Sequence, residues 1–285
     1  MSRVLLISDP HFGTERPAVA AALTALAQAT RPDLLVLAGD ITQRARHGQF
    51  AAARAFIDGL GIAARVLLPG NHDLPLLDLW TRWRAPYSRY AAAFGADLEP
   101  VHDDARLLVI GVNTTRAARH KDGEVSAAQI ERVAARLAAA RPGQLRLVVT
   151  HQPLLAIRAS DEANLLHGHR AAARAWARAG ADLLLGGHIH LPYLRPHEEA
   201  HQTAGRRMWV VQAGTAVSRR VREGVPNSVW LLRWGGADAP AGLCIAERHD
   251  HDDAAGGFRR VERHVLAIDS APVEAHASAL ALTRD

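Results

Sequence analysis

A chain of 285 residues is long enough to bury a sizeable core, either as one large domain or as two small ones. Hydrophobic residues make up 48% of it and charged residues 22%, which is ordinary for a globular protein and excludes a disordered chain. The formal net charge is +5, and almost all of the positive charge is arginine, with Lys121 as the only lysine. This mild basic excess favours anionic ligands, but the sequence lacks the compact basic run that would indicate nucleic acid.

Cys244 is the only cysteine, which excludes an internal disulfide and a thiolate metal cluster. The N-terminus enters an apolar run directly, without the basic segment and long apolar stretch of a secretion signal. No apolar segment approaches the roughly 20 residues that span a bilayer. We therefore expect a cytoplasmic protein.

The first part of the chain alternates between short apolar runs and segments of helical periodicity. Apolar runs typical of buried strands occupy residues 4–7, 34–37 and 65–68. Apolar residues recur at helical spacing in residues 17–29 and 49–60, and Gly61 suits the end of the second helix. This β-α-β-α-β order predicts an α/β fold with a parallel sheet.

Residues 74–94 break this rhythm with an aromatic stripe. Its members recur at steps of three and four residues: Trp80, Trp83, Tyr87, Tyr90 and Phe94. Pro86 must interrupt any single helix through them. We favour packing of the stripe against the sheet. The alternatives are a cap that contacts substrate, or a peripheral contact with a membrane surface, which the arginines of the segment would suit.

The rest of the chain continues with strands and helices and then changes character. Further strands are predicted at residues 106–112, 145–149, 182–185, 208–212 and 229–232, and helices at 126–140 and 165–179. Ser126 with Gln129 is a capping-box signal for the first of these helices. Two strands at 243–248 and 258–266 predict a C-terminal β-hairpin (243–266) added to a core of residues 3–234. We expect a single domain over residues 1–270 and a poorly ordered tail over 271–285.

Side chains that can bind metals follow five of the predicted strands, at the point where each strand ends. They are Asp9, His11, Asp40, Asn71, His72, Asp73, His151, His188 and His190. Active sites of open α/β sheets gather outside the carboxyl ends of the strands, so these residues predict one shared pocket. Gly70 is expected to let the backbone turn sharply before Asn71.

The spacing and chemistry of these side chains indicate a pair of metal ions. Asp9 and His11 lie two residues apart, as do His188 and His190, so each pair should leave the same side of its strand. Asp40 brings a carboxylate that could bridge two cations. The mixture of carboxylate, amide and imidazole suits Mn, Fe, Zn, Co or Ni better than Ca or Mg. Two divalent ions with two carboxylates and one hydroxide would keep a positive charge, which favours a phosphate ester.

Five sequence blocks appear in a fixed order: Asp9-x-His11, Gly39-Asp40, Gly70-Asn71-His72-Asp73, His151-x-Pro153 and Gly187-His188-x-His190. In this order they resemble the calcineurin-like metallophosphoesterases. Ser8-Asp9-Pro10-His11-Phe12 and Gly39-Asp40-Ile41-Thr42 are most similar to the branch that contains class III cyclic-nucleotide phosphodiesterases. The resemblance covers roughly residues 3–232 and implies a four-layer αββα sandwich, with two mixed β-sheets face to face and helices outside.

The resemblance also implies a role for each residue. One metal ion would be held by Asp9, His11 and His190, the other by Asn71, His151 and His188, with Asp40 as the bridge and Mn, Fe or Zn as the two divalent cofactors. A metal-bridging hydroxide would attack the phosphorus while His72 protonates the leaving oxygen as general acid. In the protein-phosphatase branch this histidine is oriented by an aspartate three residues after the bridging one, but Gln43 stands there in this chain. The orienting partner of His72 is therefore open, since Asp73 could face away from it.

Three further residues are candidates for substrate binding: Asn113, Arg116 and His169. Each has an ordinary alternative as a turn or surface residue. The basic loop at residues 215–222 could cap the bound anion or lie on the surface.

The expected function is that of a phosphodiesterase, acting on a nucleotide-type or other small phosphodiester. The alternatives are a UDP-diacylglucosamine-type pyrophosphatase that acts on a nucleotide-linked lipid, a nuclease, and a non-enzymatic scaffold with the same fold. Nucleic acid is not an expected partner, and the sequence leaves the oligomeric state open.

Overall fold

The structure, a computed structural model, describes residues 1–222, 224–236 and 239–269. The tail expected at residues 271–285 lies outside the described residues. Two mixed β-sheets of six strands each lie face to face, and helices cover their outer surfaces. The expected four-layer αββα sandwich is therefore confirmed.

The first sheet combines three parallel strands from the start of the chain with three antiparallel strands from its end. Its strands are β1 (Ser2–Ile7), β2 (Leu34–Ala38), β3 (Ala64–Leu68), β10 (Ser228–Trp234), β11 (Leu243–Asp252) and β12 (Gly257–Ala267), in the order β12-β11-β10-β1-β2-β3. Its outer face is covered by α1 (Pro17–Thr30), α2 (His47–Gly59) and α4 (Ser88–Phe94). The predicted β-α-β-α-β order thus produces half of this sheet.

The second sheet has a parallel centre with an antiparallel strand at each edge. Its strands are β4 (Val101–Asp103), β5 (Leu107–Gly111), β6 (Leu145–Val149), β7 (Leu183–Gly186), β8 (Tyr193–Pro196) and β9 (Trp209–Gln212), in the order β4-β5-β6-β7-β9-β8. Its outer face carries α5 (Ala127–Ala138), α6 (His169–Arg178) and α7 (Glu198–Ala204). The remaining helix, α3 (Leu79–Arg84), follows β3.

Strand alternation divides the apolar side chains between three hydrophobic layers. In β1, Val4 and Leu6 face the second sheet, whereas Leu5 and Ile7 face α1 and α2. In β5, Leu107 and Leu108 are divided in the same way between the two faces. Both faces of each central strand are buried, which explains why these strands appear in the sequence as continuous apolar runs.

The C-terminal hairpin extends the first sheet. β11 pairs antiparallel with β10 and with β12, and both hairpin strands are longer than predicted. The ladder between them is interrupted by a register shift between Arg248 and His249. The polar residues beyond the predicted strand ends therefore still pair as part of the β-ladder in the structure.

Among the described strands and α-helices, the sequence did not predict β4, β8 and α7. They are short, and β8 ends in Pro196, so none offers a long periodic pattern. The helix predicted at residues 165–179 starts only at His169, because Gly168 has a φ of 89° and interrupts the helical backbone. None of the helices in the described part of the chain is long and apolar enough to cross a membrane.

Pro86 divides the aromatic stripe into two helices with opposite surroundings. Tyr90, on α4, is 1% exposed, and Phe94 packs in the same outer layer. Trp80 and Trp83, on α3, are 68% and 72% exposed. The predicted packing against the sheet is confirmed for α4 and wrong for α3, whose aromatic side chains face solvent.

Candidate metal centre

The loops that follow β1, β2, β3, β6 and β7 meet at one end of the sandwich, so the site draws on both sheets. Backbone hydrogen bonds hold these loops together. The amide of Asp9 donates to Gly39 O at 3.1 Å, and the amide of Gly187 donates to His151 O at 3.0 Å. The loop after β9 also connects the two sheets, because the amide of Ala216 donates to Ser8 O at 2.9 Å.

Several of the candidate residues have left-handed backbone. The φ angles are 52° for Asp9, 44° for His11, 50° for Asp40, 75° for His188 and 54° for His190. For a residue other than glycine this conformation costs roughly 1–2 kcal/mol. These residues are not in extended strands, so the predicted same-side geometry of each pair does not apply. Asp9 and His11 still converge, while His188 and His190 point into different clusters.

The first cluster contains Asp9, His11 and His190. His190 Nε2 lies 3.3 Å from Asp9 Oδ1 and 3.1 Å from His11 Nε2. His11 Nε2 is 3.7 Å from the same carboxylate oxygen. The three ligand atoms lie within 4.8 Å of one another and could hold a metal ion.

The second cluster contains Asp40, His151 and His188, which could hold a metal ion in the same way. His151 Nε2 lies 3.3 Å from Asp40 Oδ1. Asn71 belongs to the same group, because its Oδ1 is 3.2 Å from His151 Nε2. Carboxylate and imidazole donors therefore converge in each half of the site, and the second half adds the amide oxygen of Asn71.

Asp40 connects the two clusters. Its Oδ2 lies 3.7 Å from His11 Nε2 in the first cluster, and its Oδ1 lies 3.3 Å from His151 Nε2 in the second. The backbone amide of His72 donates to Oδ1 at 2.8 Å and fixes the carboxylate. One carboxylate with its two oxygens in different donor sets has the arrangement that a bridging ligand needs.

Glycines allow this close approach of the loops. The chain turns directly after Gly70, where Gly70 O accepts from the Asp73 amide at 3.1 Å, but Gly70 itself has φ −105° and ψ −179°, an extended conformation open to any residue. A Cβ there would lie 2.8 Å from Asp40 Cα and overlap its backbone nitrogen. On Gly39 a Cβ would lie 2.5 Å from His151 Nδ1, and on Gly187 it would lie 2.7 Å from Asp9 Oδ2.

Backbone carbonyls orient the imidazole rings. His151 Nδ1 lies 2.7 Å from Ala38 O, and His190 Nδ1 contacts Arg220 O. With the N–H of Nδ1 donated to a carbonyl, Nε2 of each ring faces the carboxylates, where a metal ion could take the place of its proton. This arrangement is typical of metal-binding histidines, whose other ring nitrogen donates outward.

The protonation of the site follows from burial and from its two carboxylates. Burial lowers the pKa of His11 and of His188 to about 3, so both rings are neutral. Burial also opposes the charge on His151, but the Asp40 carboxylate, together with Asp9 and the Ala38 carbonyl, outweighs it and raises the pKa to about 9. Within the described residues, His188 Nδ1 is buried and has no hydrogen-bond partner. A buried lone pair beside two carboxylates fits a cation, so this donor set is suited to transition metals.

His72 lies at the edge of the clusters and has its own partners. Its Nδ1 is 2.9 Å from the backbone carbonyl of Gln43, which is therefore its orienting partner. Its Nε2 is 3.1 Å from a guanidinium nitrogen of Arg220. Although His72 is close enough to His11 and Asp40 to join a metal group, the arginine would repel a cation there.

Asp73 faces away from His72 and ties two loops together. It is fully buried, and its carboxylate accepts hydrogen bonds from the backbone amides of Gly70, Ile41 and Thr42 at 2.7–3.0 Å. Burial, with Asp40 nearby, raises the pKa of Asp73 to about 7. Asp73 therefore fixes the loop after β2 against the loop after β3.

An open cavity of about 680 Å³ lies over the two clusters. Asp40, Asn71, His72, His188 and His190 line it, whereas Asp9, His11 and His151 are completely buried beneath them. Its other walls carry His120, Lys121, Asp161, Asn164, Arg220 and Arg222. Arg222 binds Asp161 at 2.9 Å, so this pair contributes little net charge. Arg220 and Lys121 make the wall basic and suited to an anion.

The order of the motifs is also recognised in a comparison with protein families. A profile described as calcineurin-like phosphoesterase matches residues 2–192, which is more than half of the chain. The protein belongs to the calcineurin-like phosphoesterase family. The expected family is confirmed, whereas its class III branch stays a prediction. A comparison with curated proteins finds no match.

Solved structures of this calcineurin-like fold resemble the protein at low sequence identity. A dimetal phosphatase from Danio rerio has a TM-score of 0.63 and 14% identity, over 94% of this chain and 99% of that one. Purple acid phosphatase PPD1 from yellow lupin seeds has a TM-score of 0.67 and 12% identity, over 93% of this chain and 53% of that one. GAP50, the anchor in the inner membrane complex of Plasmodium, has a TM-score of 0.59 and 12% identity, over 94% and 89%. At these identities the likeness shows the fold alone.

The three candidates for substrate binding are not among the described residues that line this cavity. Asn113 Oδ1 accepts hydrogen bonds from Thr115, and Arg116 binds two backbone carbonyls and the Gln129 side chain. His169 Nδ1 contacts Leu166 O at the start of α6. These atoms take part in local structure, and a role of the three residues in substrate binding stays a prediction.

Sequence reasoning left Arg220 undecided and missed the carbonyl of Gln43. The only sequence signal for Arg220 was the basic loop at residues 215–222, which did not single out one arginine. The Gln43 carbonyl has no side-chain signal at all, because any residue type provides it. In the structure, the Gln43 carbonyl contacts Nδ1 of His72 and the Arg220 guanidinium contacts Nε2.

Proposed function

We propose that the protein is a phosphodiesterase that uses two divalent transition metal ions, Mn, Fe or Zn. Asp9, His11 and His190 would hold one ion, and Asn71, His151 and His188 the other, with Asp40 between them. The single observation that carries this proposal is the position of Asp40, whose two oxygens face different donor sets at 3.7 and 3.3 Å. When bound, such a metal pair lowers the pKa of water towards neutrality and stabilises the charge of an in-line displacement at phosphorus.

His72 would donate a proton to the leaving oxygen. The Gln43 carbonyl holds Nδ1, so the ring presents Nε2 to the cavity. A proton on Nε2 could then pass to the oxygen as its bond to phosphorus breaks. The fixed ring is an advantage, because a general acid must lie within hydrogen-bond reach of the atom that it protonates.

Arg220 would bind the phosphate beside His72. Its guanidinium lies 3.1 Å from both His72 Nε2 and Gln43 Oε1, with no carboxylate among these partners. A phosphate oxygen would attract this cation more strongly than a neutral ring nitrogen does. Arg220 would thus move from His72 to the substrate and leave Nε2 to the leaving oxygen.

A diester is favoured over a monoester by the similarity of the first two motifs to class III phosphodiesterases. The balance of charge supports the same choice. Arg222 is neutralised by Asp161, so the wall of the cavity offers few cations for a dianionic monoester. A cavity of about 680 Å³ also has room for a nucleotide-sized substrate.

A nucleotide-linked lipid is a second candidate substrate. A side groove of about 230 Å³ opens beside His72, and Leu74 and Leu76 line it. It could take the start of an apolar chain while the phosphate lies at the metal centre. Turnover of a detergent-dispersed nucleotide-linked lipid would support this candidate, and turnover of water-soluble diesters alone would reject it.

The test of the main proposal combines metal content with activity. Protein loaded with Mn²⁺ or Zn²⁺ should bind two equivalents by elemental analysis and hydrolyse bis(p-nitrophenyl) phosphate and a cyclic nucleotide. Asn71→Ala removes one ligand of the second ion, so it should lower the metal content towards one equivalent and kcat by at least about 100-fold. Gln202→Ala, which removes an exposed amide on α7, is the matched control and should change neither quantity.

Two outcomes would count against the proposal. Fewer than one equivalent of metal after loading would favour a non-enzymatic scaffold with this fold. Two bound equivalents without cleavage of any diester would reject the phosphodiesterase and redirect the search to monoesters.

A further inference from the structure

The α3 segment exposes a compact apolar surface. Leu77 is 84% exposed, Leu79 72%, Trp80 68% and Trp83 72%. We call these four residues the α3 face. The two tryptophan rings lie 5.9 Å apart, and the Arg84 guanidinium lies 5.9 Å from the Trp80 ring. Four large apolar side chains in seven consecutive positions are unusual on a protein surface and mark a place of contact.

The polar side of α3 faces the protein, so the apolar face is held outward. Arg82 donates to the backbone carbonyls of Pro75, Ala117 and Arg119 at 2.7–3.1 Å. Asp78 caps the helix by accepting from the amide of Thr81 at 3.0 Å. These bonds fix the orientation of the helix, so the tryptophans cannot turn inward without breaking them.

The surroundings of the α3 face are basic. Arg44, Arg46 and Arg84 are exposed, and Arg89 borders the same surface. Asp78 is the acidic residue of this segment, and Arg89 pairs with it at 2.5 Å. Tryptophan and leucine beside arginine are the composition of protein surfaces that insert into the interface of a bilayer. The exposed arginines would bind the acidic headgroups.

The α3 face lies beside the mouth of the metal cavity. Arg82 binds the carbonyls of Ala117 and Arg119, in the loop whose next residues, His120 and Lys121, line the cavity. A surface attached at the α3 face would therefore be close to the opening of the active site.

We propose that the α3 face docks the protein on the surface of an anionic lipid bilayer. Basic residues around exposed tryptophans are complementary to acidic headgroups over an apolar interior. A second copy of the chain is the less suitable occupant. A second copy would have to bury much more than these four side chains to reach the about 800 Å² per partner of a stable protein interface. Two copies would also bring their arginines together.

Vesicle binding tests this proposal with the whole chain. The protein should co-sediment with phosphatidylcholine vesicles that contain phosphatidylglycerol, much less with phosphatidylcholine alone, and less at high salt. The double variant Trp80→Ser/Trp83→Ser should weaken binding by about ten-fold or more, since it removes two large apolar side chains. Arg46→Glu should weaken binding to the anionic vesicles but not to the neutral ones.

Tryptophan fluorescence gives an independent readout. Brominated lipid should quench Trp80 and Trp83, whereas Trp176 and Trp230 are completely buried. The quenching should disappear in the double variant. Val261→Ser/Val265→Ser, which alters two half-exposed valines of β12, is the matched control and should bind vesicles as the wild type does.

Three results would overturn the proposal. The first is no binding of the wild type to anionic vesicles, and the second is equal binding by the double variant. The third is a dimer that the double variant converts to a monomer without any vesicle binding, which would assign the α3 face to a second copy. Hydrolysis of bis(p-nitrophenyl) phosphate in solution should be unchanged in the double variant, so the two proposals succeed or fail separately.

Discussion

A neutral backbone carbonyl holds the proposed general acid. The Gln43 carbonyl fixes His72 Nδ1 at 2.9 Å, in the place where an aspartate would orient the ring in the protein-phosphatase branch. A carboxylate would also stabilise the imidazolium by charge, whereas a carbonyl stabilises it through the hydrogen bond alone. The orienting partner of His72 therefore adds no negative charge at Nδ1.

Removal of His72 should have an effect that depends on the leaving group. His72→Ala should lower kcat by about 10²–10⁴-fold for a diester with an alkyl or nucleoside leaving group, which needs the proton. For bis(p-nitrophenyl) phosphate the loss should be much smaller, because p-nitrophenolate leaves without protonation. The comparison of kcat for the two substrates is the measurement.

The controls for this variant separate catalysis from metal binding. Metal content should stay at two equivalents, since His72 is not one of the proposed ligands. His201→Ala, an exposed histidine of α7, should leave both rates unchanged. Equal losses for both substrates, or a loss of metal, would show that His72 does something other than protonate the leaving group.

At the scale of elements, the close approach of the loops after β2 and β3 depends on Gly70. Its backbone is extended, so alanine would be tolerated there if space allowed. A Cβ would overlap the backbone of Asp40, which neighbouring strands hold in place. Space alone, and not backbone conformation, therefore selects glycine at this position.

Gly70→Ala should lower stability by about 1–3 kcal/mol through overpacking and should displace Asp40 and Asn71. Chemical denaturation and elemental analysis should together show a lower free energy of unfolding and fewer than two bound ions. Gly48→Ala is the matched control, because nothing lies within 4 Å of a Cβ there and the residue is in α2. It should stabilise by up to about 1 kcal/mol. Equal effects of the two substitutions would contradict the role of space.

The elements that carry the site could be predicted because they are buried on both faces. Such strands appear as unbroken apolar runs, and the polar residue after each run marks the strand end. The left-handed backbone of Asp9 and His188 could not be predicted, since neither residue type requires it. It depends on bonds between loops that are distant in sequence.

The aromatic stripe shows a second limit of sequence pattern. Tyr90 and Trp83 belong to one periodic series, yet one is buried and the other is exposed. The periodicity identifies helices but does not determine what a helix packs against. That depends on Pro86, which separates α3 from α4, and on the bonds that hold α3 by its polar side.

At the scale of the whole molecule, the proposed metal centre joins two sheets that otherwise meet through apolar packing. Asp9 and Asp40 come from the first sheet, and His151, His188 and His190 come from the second. Bound ions would therefore link the sheets at the end where the loops meet. Because the donors come together only in the folded chain, ions would bind the native state and not the unfolded one.

Metal ions should consequently stabilise the fold. Each ion contributes about 2.7 kcal/mol at a free concentration 100 times its Kd, so Mn²⁺ should raise Tm by several degrees and a chelator should reverse the rise. Asp9→Asn weakens one ion site and should remove about half of this gain, measured by thermal unfolding with and without metal. Asp40→Asn weakens both sites and should remove nearly all of the gain in Tm.

The control is Asp253→Asn, at an exposed aspartate after β11, which should keep the full gain in Tm. A rise in Tm that survives Asp40→Asn would mean that the ions bind elsewhere, and the bridging position of Asp40 would have to be abandoned.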